Sequence, residues 1–87
     1  MKYTVTTQGR TLGKQSIGPH DHLRDPKYDI KIIARYLASR KTPATSEEIF
    51  AKLKRTTPLD IFGRWPSQSN VQKDLIKGMK LGYFKSV

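Results

Sequence analysis

Apolar positions recur at helical spacing in three stretches of the chain and alternate with polar ones in a fourth. Ile30, Ile33, Tyr36 and Leu37 share one helical face, with Ile32 off that stripe. Asp25 can cap this helix, and Pro26 suits its first position, where a missing N–H costs nothing. Pro43 disfavours helical geometry at Thr42, so the spacing predicts a helix over about 26–40. Thr45 and Glu48 have the S/T-x-x-E spacing of a capping box, and Ile49, Phe50 and Leu53 follow as a buried face, predicting a short helix over 46–54. Val71, Leu75 and Met79 repeat at i, i+4 and i+8, predicting a third helix over 68–81. Ser67 or Ser69 can cap it, and Ser69 with Gln72 has the spacing of a second capping box. Gly82 fits the left-handed position past its end, and residues 83–87 follow as a terminal strand.

The alternating stretch lies near the start. Tyr3 and Val5 alternate with Thr4 and Thr6, which suits one strand at about 3–7. Gly9, Gly13, Gly18 and Pro19 then interrupt any longer pattern, predicting irregular chain: a flexible basic arm or a loose hairpin. Residues 55–66 form a long connection in which residues 58–62 could make one helical turn. The expected organisation is an arm over 1–24 and one domain over 25–87. It is mainly α with a small β component, its short N-terminal and C-terminal strands available to pair.

Composition changes this picture through charge. The 87 residues carry 17 Lys+Arg against 7 Asp+Glu, a formal net charge of +10. Such an excess repels itself in a folded domain and becomes favourable beside a polyanion, where each cation meeting a phosphate releases a counterion. Nucleic acid is the leading polyanion; an anionic membrane or an acidic protein surface stays open at this point. No acidic residue precedes Asp21, whereas Lys2, Arg10 and Lys14 do. On and just after the first predicted helix, Lys27, Lys31, Arg35, Arg40 and Lys41 load the rest with positive charge. Lys52, Lys54 and Arg55 gather at the end of the second, where cations suit the helix dipole.

Several classes are disfavoured. With no cysteine there is no disulfide framework and no thiolate metal site, which agrees with a reducing, cytoplasmic setting. No apolar run is long enough to span a bilayer, and the first ten residues lack the apolar stretch of a secretory signal. His20 and His22 flank Asp21, but no further ligand has suitable spacing, so no metal or other cofactor is expected. There is no P-loop, H-E-x-x-H or G-x-S-x-G pattern, and Asp21, Asp25 and Asp29 do not by themselves specify chemistry. A non-enzymatic chain is expected.

The stretches Thr45–Arg55 and Ser67–Val87, a capped short helix and a longer helix running straight into a strand, resemble winged helix-turn-helix domains. The resemblance covers about residues 26–87. It implies a three-helix domain whose 68–81 helix lies in a DNA major groove, with backbone contacts from neighbouring elements. Carried onto this chain, Gln68, Asn70, Gln72, Lys73 and Lys77 would face the groove. In that family the wing is a hairpin; here the strand at 3–7 would have to partner the terminal strand.

Beside the resemblance stands the pattern itself. Lys73, Lys77 and Lys80 form a cationic stripe roughly opposite the apolar one, available for phosphate or base contact or simply solvated. Gln68, Asn70 and Gln72 could read adenine edges or merely cap the helix. Arg10, Lys14 and Arg24 suit an arm entering a minor groove or a solubilising tail. Lys54 and Arg55 could reach backbone phosphates. Trp65, with Phe62 and Arg64 nearby, can cover the core beneath the long connection or anchor a protein partner. Three functions therefore compete: duplex-DNA binding, as in a small transcriptional regulator; docking on an acidic surface of a transcription or translation machine through residues 56–66; and RNA or ribosome binding. No dimerisation element is visible.

Overall fold

A computed structural model describes residues 1–16, 26–56 and 67–87. Along the chain it places β1 (Lys2–Val5), α1 (Thr7–Lys14), α2 (Tyr28–Ser39), β2 (Ala44–Thr45), α3 (Ser46–Thr56), α4 (Gln68–Lys80) and β3 (Phe84–Ser86). The fold is mainly helical with a small antiparallel sheet.

The three helices with apolar stripes form as their spacing predicts. Ile30, Ile33 and Leu37 of α2, Ile49 and Leu53 of α3, and Val71 and Leu75 of α4 meet in one core, each at most 2% exposed. Tyr36, Phe50 and Met79 pack partly buried against it. The α2 helix begins at Tyr28 rather than at 26, with Lys27 at its cap position and no side-chain cap bond; Asp25 lies outside the described residues. It ends before Arg40, whose backbone is already extended. The capping box forms as expected: the Glu48 backbone N–H donates to Thr45 Oγ1 at 3.2 Å, and the Thr45 N–H donates back to Glu48 Oε1 at 3.2 Å. At α4 the cap is Ser67, whose hydroxyl accepts from Asn70 N–H at 3.1 Å. The alternative box at Ser69 and Gln72 does not form, since Ser69 already lies inside the helix.

The sheet orders its strands β2-β1-β3, both pairings antiparallel. The N-terminal strand does partner the terminal one: Val5 sits opposite Phe84, and Tyr3 opposite Ser86. Its other edge pairs with β2, a two-residue strand that the hydrophobic pattern did not announce. Alternation puts Val5 with Phe84 and Ala44 into the core, with Tyr3 packed against it. The α4 helix turns into β3 through Gly82, at φ +87°, where a side chain would be strained.

Residues 7–14 depart most from expectation. Instead of irregular chain they form α1, and Leu12 is buried in the core. Thr6 caps this helix by accepting from Gly9 N–H at 3.1 Å, while its hydroxyl donates to the Gly82 carbonyl. At the other end Arg35 donates from Nε to the Gly13 carbonyl at 3.0 Å and from Nη2 to the Gln15 carbonyl at 2.8 Å. Those carbonyls have no partner inside a helix that stops there. Gly13 allows the fit, because a Cβ at this position would lie 3.0–3.1 Å from backbone atoms of Ala34 and Arg35. Here glycine marks a close helix crossing rather than a break.

Candidate nucleic-acid interface

The α4 helix lies against α2 and α3 with Val71 and Leu75 buried in the shared core, while Gly78, also buried, faces the Phe84 ring of β3. At ~100° per residue, that fixes the opposite face around Ser69, Lys73, Ile76 and Lys80. Lys73, Lys77 and Lys80 are exposed, as the cationic stripe predicts, and Gln72 is exposed beside them. Lys73 and Lys80 sit ~10 Å apart along the axis, comparable with the width of a DNA major groove. Among the described residues, no ion pair engages any of the three lysines. Lys77 does favour the ionised form of Asp74, one turn before it.

The other sequence-predicted residues divide. Gln68 is partly engaged within the fold: its Nε2 donates to Ser46 Oγ at 3.2 Å, tying the first turn of α4 to the first turn of α3. Ser46 is itself only 8% exposed. Asn70 is half-buried. Lys54 and Arg55 are exposed at the end of α3, where the Lys54 ammonium lies 5.8 Å from the Phe50 ring centre. Arg10 and Lys14 are exposed, but on a packed helix rather than a free arm. Arg24, Phe62, Arg64 and Trp65 lie outside the described residues, as do His20, Asp21 and His22. Among the described residues no group of three His, Asp or Glu could hold a metal, and no helix is long and apolar enough to cross a membrane.

Two residues of α4 escaped the hydrophobic pattern. Asp74 is half-buried at the edge of the core stripe, and its Oδ2 is buried without a hydrogen-bond partner. Burial first, then the nearby Asp29 carboxylate, push Asp74 up to about 6, against the pull of Lys77. Ile76 points outward, 52% exposed, within the cationic face. Both follow from a helical projection of residues 68–80, in which Asp74 falls ~60° from Val71 and Ile76 ~120° from the buried centre.

Not all the positive charge faces solvent. Lys31, expected on the solvated side of α2, is buried at 9% exposure. Arg40 donates to the Tyr36 hydroxyl at 2.7 Å and to the Thr42 carbonyl at 3.2 Å, and pairs with Glu48 at 3.2 Å. The Tyr36 hydroxyl is the main reason its guanidinium is held above its ordinary range. Lys27 donates to the Tyr83 hydroxyl at 3.0 Å.

No protein-family model, curated protein or solved structure matches the chain.

Proposed function

We propose that this protein is a non-catalytic, winged helix-turn-helix-like module that binds double-stranded DNA through the outer face of α4. The observation that carries this reading is that face: three exposed lysines and an exposed glutamine on one helix, in a domain of net charge +10. The architecture supports it. The α4 helix is seated on α3, capped at its start and continuous with a strand, and β1 supplies the antiparallel neighbour that a wing hairpin would. On this reading Lys73, Lys77 and Lys80 contact phosphates. Gln72 is the amide placed to meet an adenine edge. Gln68 acts one step back, by holding α4 at its angle to α3. The role that fits is a small regulator of transcription working in the cytoplasm.

The test is a fluorescence-anisotropy titration against mixed-sequence duplex DNA, duplex RNA and single strands, at ~50 and ~200 mM salt. The expected result is micromolar or tighter binding to duplex DNA, with log K falling against log salt with a slope near −3 or steeper, about −0.9 per lysine–phosphate contact. Absence of duplex-DNA binding at the lower salt, or tighter binding to RNA, overturns the proposal.

A further inference from the structure

Ile76 is the one large apolar side chain among the described residues that is left exposed within a helix; Met1, Leu81 and Val87 are the other exposed ones, and none lies inside a helix. Nothing in the folding of α4 asks for it. A β-branched residue on a solvated helical face loses side-chain freedom and gains no packing, so a lysine, glutamate or alanine would serve the helix better. Its surroundings narrow what it can meet. Round the helix axis it lies ~40° from Gln72 and Lys80 and ~60° from Lys73 and Met79. Gln72, Lys73 and Lys80 are exposed, and Met79 is partly buried against the core. An apolar protein surface would find a single exposed butyl group with a cation on either side and, among the described residues, no second exposed large apolar side chain next to it on the helix. The floor of a DNA major groove offers the complementary arrangement: phosphates along both walls and, between them, the C5-methyl group of thymine as its apolar feature.

We propose that Ile76 is a specificity residue that packs on the C5-methyl group of thymine, so that α4 prefers sites with a thymine beside the bases reached by Gln72. This rests on the duplex-DNA reading above and deepens it. Gln72 and Ile76 are one turn apart on the same face, ~6 Å along the axis, which spans about two base-pair steps. An adenine edge and a thymine methyl within that distance define an A·T-containing step as the preferred contact.

The experiment removes the methyl group and nothing else. Affinity is measured for a duplex of alternating A·T pairs and for the same duplex with 2′-deoxyuridine in place of thymidine, using the wild-type chain, Ile76→Ala and Ile76→Val. The wild type is expected to bind the thymine duplex about fourfold tighter per methyl group contacted, the factor that burial of one such group gives. Ile76→Ala is expected to bind both duplexes alike, and Ile76→Val to keep part of the preference. The position is exposed and alanine favours helix, so Ile76→Ala folds as the wild type does. Equal wild-type affinities, with salt-sensitive binding retained, overturn the role of Ile76 and leave duplex binding standing. A thymine preference that survives in Ile76→Ala also overturns it. No binding to either duplex at low salt overturns the duplex reading and this inference together.

Discussion

The α2 and α4 helices carry similar numbers of cations and use them differently. On α2 and its flanks most of the positive groups are engaged by other parts of the molecule, although Lys27, Arg35 and Lys41 remain exposed. Arg35 closes the end of α1, Arg40 gathers Tyr36, Thr42 and Glu48 around the passage from α2 to α3, and Lys27 reaches the Tyr83 hydroxyl. Lys31 is buried. On α4 the three lysines point outward. Net charge alone therefore overstates the surface open to a polyanion. A guanidinium that satisfies orphaned carbonyls stabilises the fold, whereas an exposed ammonium on a rigid helix contributes almost nothing to it and remains available for phosphate.

The largest effect is expected at α4. Replacing Lys73, Lys77 and Lys80 together by alanine is expected to lower duplex-DNA affinity about a hundredfold at moderate salt and to flatten the salt slope by about three. Urea unfolding should shift by less than ~0.5 kcal/mol for each site. If the triple variant loses stability instead of affinity, the two helices do not differ in the way described.

The reciprocal change is Arg35→Ala. It leaves the last carbonyls of α1 without their donors and should cost about 1–2 kcal/mol in chemical denaturation. The salt slope of DNA binding should not change. A flattened slope in this variant would place α2 at the interface.

The acid on α4 adds a further difference between the two helices. Asp74 is held near 6 in the folded chain, above its ordinary value of 3.8. The folded state therefore binds this proton more tightly than the unfolded chain. Stability from this group is fully present below pH ~4 and is lost as pH rises through ~6, by about 1 kcal/mol once screening of a half-exposed group is allowed for. In Asp74→Asn that decline should vanish from the pH dependence of the unfolding midpoint. Its duplex affinity should rise about two- to fivefold, because one negative charge beside Lys77 is gone. An unchanged pH profile would mean that the Asp74 carboxylate is not held above its ordinary range in the folded chain.

What could be read from the residues follows from where the stabilising contacts are local. The α2, α3 and α4 helices carry their own apolar stripes, the Thr45–Glu48 box lies within four residues, and Gly82 marks its own turn. Each is a short-range pattern that the fold respects. The α1 helix has none: Leu12 is its single large apolar residue, and two of its eight positions are glycine. Its helicity is imposed by distant partners, through the Thr6–Gly82 bond, the two Arg35 donors and the crossing at Gly13. The two-residue β2 is equally silent in sequence, because its pairing with β1 is a property of the sheet. At the candidate interface the lysine stripe was legible by spacing. The commitment of Gln68 to Ser46 was not, since its partner lies 22 positions earlier. Asp74 and Ile76 were within reach of a helical projection, but a search for apolar and cationic stripes passes over a lone acid and a lone isoleucine.

The central position of β1 bears on how the chain reaches this structure. The β1–β2 ladder joins residues 2–3 to 44–45, whereas the β1–β3 ladder joins residues 3–5 to 84–86 and so closes nearly the whole chain into one loop. The entropy of that closure falls on the second ladder, so the sheet gains its β3 edge only when both ends of the chain have been brought together.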